Sequence, residues 1–215
     1  MIGNEILDKL KEILGEYDME GITAVSVDGS ACLPFINNSN DVDIHAFINK
    51  DKFEKRTDAL REAKKAVRNE FPNVAIICHW DNRFTGGITR LDDMTDFLHQ
   101  TCSLPSYVYQ SHFAKIIYGE KKSIFGDIDI LGKDKSDYLS NLRYEINCDG
   151  FKKQMKKTGR TKRLYHVLCG IYFIENSSYE LTEEQKKNVN IAHDKTDGWE
   201  GLYEWAKEEL EKLVG

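Results

Sequence analysis

At 215 residues, with 40% hydrophobic and 31% charged residues and only three prolines, the chain has the composition of one or two folded domains and excludes a disordered protein. A formal charge of -6 excludes a broad electrostatic coat for nucleic acid. Residues 151–163, FKKQMKKTGRTKR, depart from that balance with seven basic residues and no acidic one, leaving 23 basic against 36 acidic elsewhere, so this segment is a candidate local anion site.

The first element expected is an amphipathic helix over residues 4–15, where Ile6, Leu10, Ile13 and Leu14 recur at helical spacing and Gly15 is a stop. No apolar run in the chain approaches the roughly 18 residues of a membrane span, and this first stretch lacks a secretory apolar region, so the expected location is the cytoplasm. The five cysteines are widely spaced with no Cys-x-x-Cys pair, which fits reduced and mostly buried thiols.

GITAVSVDGS follows, a β-branched strand ending at Gly29 with Ile22, Ala24, Ser26 and Asp28 on one parity and Thr23, Val25 and Val27 on the other. The loop ACLPFINNSN then leads into a second strand, DVDIHAFI, on which Asp41 and Asp43 share a face. A helix from residue 53 carries Phe53, Leu60, Ala63, Val67 and Phe71 and closes at Pro72. Beyond it come the strand NVAIICHW, a polar stretch over 83–105 with a turn at Gly86-Gly87 and a short helical option in DDMTDFLHQTC, the strand SHFAKIIYG, and another apolar, partly alternating piece in FGDIDILG. From residue 134 the patterns are helical: Leu164, Val167, Leu168, Ile171 and Ile174 form one stripe, Thr182 caps a helix with Glu183 and Glu184 in its first turn, and Leu202, Tyr203, Ala206, Leu210 and Leu213 line the last. The expected architecture is therefore an α/β (α+β) mixed sheet flanked by helices in residues 1–133, followed by an all-helical domain in 134–215.

Two aspartates alternating on one strand face bring their carboxylates near enough to share divalent cations, and Mg²⁺ favours such hard oxygen ligands while keeping positions for substrate phosphates. A Gly-Ser turn upstream offers close backbone approach and N–H groups to a phosphate tail. Helix, apolar strand, Gly29-Ser30, an eleven-residue step from Ser30, Asp41-Val42-Asp43 and a second apolar run together resemble the polymerase-β-like nucleotidyltransferase superfamily. HFAKIIYG, residues 112–119, also looks like the stretch following the third core strand in small members. The resemblance covers roughly residues 1–120. It implies Asp41 and Asp43 as ligands of two Mg²⁺ ions, with Mn²⁺ an alternative, and Gly29 and Ser30 as contacts of a bound nucleoside triphosphate.

The chain also departs from the family pattern. Leu33 and Pro34 stand where many members carry Arg and Gly, and NVAIICHWD has no acid inside its apolar run, where a third carboxylate is usual. Asp81, at the end of that run and on the parity of His79, is the first candidate for that third carboxylate, metal ligand and base for the acceptor hydroxyl; Asp127 and Asp129 are others. In the helical half, Lys162, His166, Cys169 and Phe173 fall on a face distinct from the apolar stripe, with His166 read as a packed residue. By the same resemblance Lys162 would stand against the triphosphate, with Arg160 and Arg163 in reserve. His193, Asp194 and Asp197 are read as a helix end, and His45, His99 and His112 share no metal-ligand spacing.

The reading favoured by these residues is a metal-dependent nucleotidyltransferase moving a nucleoside monophosphate to an acceptor hydroxyl with release of pyrophosphate. The acceptor, a small molecule such as an aminoglycoside, an RNA 3′ end or a protein hydroxyl, is expected between the two halves. The alternative is a protein of the same fold that lost the third carboxylate and binds nucleotide or a partner chain without turnover. A weaker third idea is the nucleotidyltransferase half of a toxin–antitoxin or defence pair.

Overall fold

The computed structural model of the protein describes residues 4–37, 41–48, 53–79, 112–121, 129–148 and 162–215, with the backbone alone at 23, 47–48, 53–60, 77–79 and 162–163. Asp81, Asp127, Arg160, the Gly86-Gly87 turn, the helical option in DDMTDFLHQTC and residues 151–161 of the basic segment lie outside the described residues. The described residues form two compact units. Residues 4–34, 41–48, 53–79 and 112–121 make the first, and 35–37, 129–148 and 162–215 the second.

In the first unit, helix α1 (Asn4–Gly15) precedes β1 (Ile22–Asp28), a single 3₁₀ turn (Ser30–Cys32) and β2 (Asp41–Ile48). Helix α2 (Phe53–Glu70) then connects β2 to β3 (Ala75–His79), and β4 (Lys115–Gly119) completes a four-stranded sheet in the order β3-β2-β1-β4. β2 and β3 run parallel, as a connection through a whole helix allows, whereas β1 is antiparallel to both β2 and β4. The sheet is therefore mixed. One face packs on the two helices: Val25, Val27, Val42, Ile44, Ala46 and Ile76 join Leu10, Ile13 and Leu14 of α1 and Ala63 and Val67 of α2 in a single core. Burying side chains of this size contributes about 1.5–3 kcal/mol each against leaving them in water.

Strict alternation along β1 places Ile22 with Ala24, Ser26 and Asp28, but Ile22 joins the helix-packed core with Val25 and Val27. The cause is a bulge: Ile22 and Ala24 oppose the adjacent residues Ile48 and Phe47 of β2, so one extra residue is accommodated and the parity inverts there. Beyond the bulge Ser26 and Asp28 turn to the sheet face away from the helices.

The second unit is helical, with α3 (Lys135–Asn147), α4 (Lys162–Asn176), α5 (Glu183–Asp194) and α6 (Trp199–Val214). The expected α4 stripe is buried, but so are Tyr165, Cys169, Tyr172 and Phe173. The face that carries Cys169 and Phe173, distinct from the stripe in the sequence, is thus core as well, because α3, α5 and α6 all pack on α4. At Gly170 an added Cβ would come within 2.6 Å of the Tyr138 hydroxyl, so the missing side chain is what lets α3 approach. Thr182 caps α5 as its sequence predicts: its Oγ1 accepts from the Gln185 N–H at 3.2 Å while Gln185 Oε1 accepts from the Thr182 N–H at 3.0 Å.

Of the apolar piece FGDIDILG, residues 125–128 lie outside the described residues, and 129–132 belong to a turn that runs on to Asp134. Asp134 Oδ2 accepts from the Asp129 N–H at 2.8 Å, and the Asp129 carbonyl accepts from the N–H groups of Gly132 and Asp134 at 3.2 and 2.9 Å. These local bonds satisfy the backbone without a ladder. Of the cysteines with described side chains, Cys32 and Cys169 are buried and Cys148 half-buried, all as free thiols.

Candidate active site

The sheet face turned away from the helices gathers the polar residues of β1 and β2. Ser26 and Asp28 on β1 stand across from His45 and Asp43 on β2, each pair in direct register, and Asp41 lies two residues before Asp43 on the same face. Asp41 and Asp43 are half-buried.

Gly29, the residue linking β1 to the 3₁₀ turn, has φ 74° and ψ -168°, a region open essentially to glycine alone. A Cβ built there would collide with Oδ2 of Asp43, so the backbone of the Gly-Ser turn is packed directly against that carboxylate. The turn closes through the Cys32 N–H donating to the Gly29 carbonyl at 3.2 Å and the Leu33 N–H to the Ser30 carbonyl at 3.1 Å. Ser30 is buried within it. Cys32 adds a contact from its thiol to the Val27 carbonyl at 3.3 Å, and burial first, then the charge of Asp28, pushes that thiol up to about 12. It is no nucleophile at neutral pH. The structure thus brings Gly29, Asp41 and Asp43 into one place, although they are up to fourteen residues apart in sequence.

Asp28 and His45 complete this face, and neither carries a functional signature of its own in the sequence. Asp28 is only 3% exposed and His45 9%. Asp28 Oδ2 lies 2.8 Å from His45 Nδ1 and accepts from the Ser26 hydroxyl at 3.3 Å. Burial disfavours the imidazolium, but the Asp28 carboxylate against it and, beyond that, Asp43 outweigh that penalty and raise the His45 pKa above its ordinary value. The signal available in sequence was the interruption of an apolar strand by Ser26 and Asp28, with His45 sharing the parity of Asp41 and Asp43.

Mg²⁺ commonly takes one or two carboxylates from a protein and completes its shell with water and substrate phosphates, so the oxygen donors Asp41 and Asp43 fit such an ion. Among the described residues no group of three or more His, Cys, Asp or Glu side chains is placed to hold a metal ion. Asp129 lies in the closed turn of the second unit, against Gly132. Lys162 is the first residue of α4, and Arg163 the second. His193 is 2.7 Å from Asp194 Oδ1 at the end of α5, where Lys195 takes the left-handed conformation, so this group is the helix end that the sequence indicates. No helix among the described residues is long and apolar enough to cross a membrane.

No protein-family model and no curated protein matches the sequence. Among solved structures, that of spectinomycin adenyltransferase AAD(9) from Enterococcus faecialis, with ATP and spectinomycin, is similar over 98% of this chain and 100% of its own, at 14% sequence identity and a TM-score of 0.49.

Proposed function

We propose that the polar sheet face binds a nucleoside triphosphate together with divalent cations and transfers the nucleoside monophosphate to an acceptor hydroxyl. The observation that carries this reading is the packing of the Gly29-Ser30 turn directly on the carboxylate of Asp43, with Asp41 beside it on the same face. Backbone that approaches an acid this closely can present a phosphate to the same cations the acid holds.

In the proposed reaction the acceptor oxygen bonds to the α-phosphorus, the bond from that phosphorus to the pyrophosphate oxygen breaks, and the hydroxyl proton leaves to a base. Asp41 and Asp43 would hold Mg²⁺, or Mn²⁺ in its place. When bound, these ions supply positive charge against the phosphate oxygens and lower the cost of charge developing on the leaving group. Gly29 and Ser30 orient the phosphate tail, and Lys162 offsets negative charge on pyrophosphate, with Arg160 and Arg163 able to serve beside it. Asp81 is assigned as the base for the acceptor proton. That assignment rests on its sequence position alone, at the end of NVAIICHWD and on the parity of His79; in the described part of β3 it is Ile77, four residues earlier, that stands across from Asp43. Residues 1–133 form the catalytic domain in this proposal, and 134–215 the helical domain.

The test is pyrophosphate release from each ribonucleoside triphosphate in Mg²⁺, with aminoglycosides, an RNA 3′ end and a protein as acceptors. Release that needs both the cation and one acceptor class is the expected result. Triphosphate binding without release for any acceptor would contradict transfer and favour a binding role.

A further inference from the structure

His45 and Asp28 have no part in the reaction outlined above, yet both are buried on the face that carries it. Asp28 is the direct cross-strand partner of Asp43. Side chains so paired have Cβ atoms about 4.5–5.5 Å apart, and two like charges there repel. A carboxylate only 3% exposed also needs a counter-charge or hydrogen bonds to remain ionised at tolerable cost. Both needs converge on one oxygen, Asp28 Oδ2, which accepts from the Ser26 hydroxyl at 3.3 Å and has His45 Nδ1 against it at 2.8 Å, a close polar contact whose angle falls short of a hydrogen bond. Asp28 is bonded directly to Gly29, whose backbone is the wall against which Asp43 rests. Any turn of Asp28 toward Asp43 would disturb both the carboxylate and its wall.

We infer that His45 is a positioning residue: it restrains the Asp28 carboxylate so that Asp43, seated on Gly29, is presented to the cation without a competing acid beside it. His45 acts through Asp28 and touches neither substrate nor ion. The inference rests on the proposed cation site at Asp41 and Asp43. It adds that the site depends on an imidazole two residues further along β2.

Removing the restraint should damage cation binding only while Asp28 is still an acid, which separates positioning from packing. The probe is Mn²⁺ alone, its free concentration followed by electron paramagnetic resonance on the full chain, with thermal melting run on every variant. Leu at position 45 keeps bulk but cannot donate, so His45→Leu should weaken Mn²⁺ binding about tenfold, the lower end of the usual loss when a group orienting a ligand is removed. His45→Gln, whose amide can still donate to Asp28, should stay within about threefold of the wild type. The double variant Asp28→Asn, His45→Leu should likewise recover to within about threefold, because no acid remains to be restrained.

Wild-type affinity in His45→Leu, with binding lost in Asp43→Asn, would overturn the inference and leave the site reading standing. Equal weakening in His45→Leu and in the double variant would also overturn it, since His45 would then act by some route other than Asp28. Mn²⁺ binding that Asp43→Asn does not change would remove the site and the inference together. If His45→Leu does not fold, His45→Ala enters the same comparison; if neither folds while the double variant does, the wild-type affinity of the double variant and of His45→Gln supports the inference and its loss in either overturns it.

Discussion

Asp43→Asn is expected to lower turnover about a thousandfold or more while leaving the melting temperature unchanged or slightly raised. The loss follows from charge: the amide keeps the shape of the side chain but removes a negative ligand, and cation stabilisation of a phosphoryl transition state is worth several kcal/mol, with each 1.36 kcal/mol a factor of ten. The stability side follows from position. Asp43 is half-buried on the face away from the core and stands directly across from Asp28, so neutralising it relieves a like-charge pair instead of opening a cavity. Pyrophosphate release and thermal melting on the same preparation check both halves. A large fall in melting temperature would mean that Asp43 is a structural residue.

Gly29→Ala is expected to destabilise the protein by about 3 kcal/mol or more, a drop in melting temperature of roughly 10 °C, and to abolish activity in whatever remains folded. Two costs combine. The backbone at φ 74°, ψ -168° lies where a Cβ is strained by about 1–3 kcal/mol. The new methyl would also meet the Asp43 carboxylate, and forcing extra bulk into a packed position adds about 1–3 kcal/mol more. Unlike Asp43→Asn, this variant therefore loses stability and activity together. A stable Gly29→Ala protein with normal turnover would show that the turn does not seat the acid.

These two residues were legible in the sequence because their signals are local. β2 begins and ends where DVDIHAFI does, and a period of two puts Asp41 and Asp43 on one face with no knowledge of the partner strands. Gly29 stands at the break between a β-branched run and a polar loop, where such a residue usually marks a turn. What the sequence obscured depends on contacts distant in the chain. The bulge near Ile22 is fixed by pairing with Phe47 and Ile48, so alternation along β1 alone assigns Ile22 to the wrong face. The burial of α4 beyond its stripe is set by its packing on α3, α5 and α6, and its own stripe would look the same with that second face exposed. The turn at 129–134 reads as apolar alternation because the side chain that closes it, Asp134, lies beyond the alternating residues.

His45 illustrates the same limit within the site. No metal-ligand spacing along the chain pairs it with another residue. Its counterpart is Asp28, seventeen residues earlier and on the neighbouring strand, and only the β1–β2 register brings them together. The interruption of apolar β1 by Ser26 and Asp28 was visible, but its meaning required the strand across from it.

The central claim is that Asp41 and Asp43, with the Gly29-Ser30 turn, form a cation-dependent triphosphate site. Calorimetric titration of the full chain with each ribonucleoside triphosphate in Mg²⁺, repeated on the Asp41→Asn, Asp43→Asn double variant, tests it most directly. The account predicts binding that requires Mg²⁺, favours one base or a subset, and is lost in the double variant with the fold intact. Binding that survives in that variant, or no binding of any triphosphate to the wild type, would contradict it.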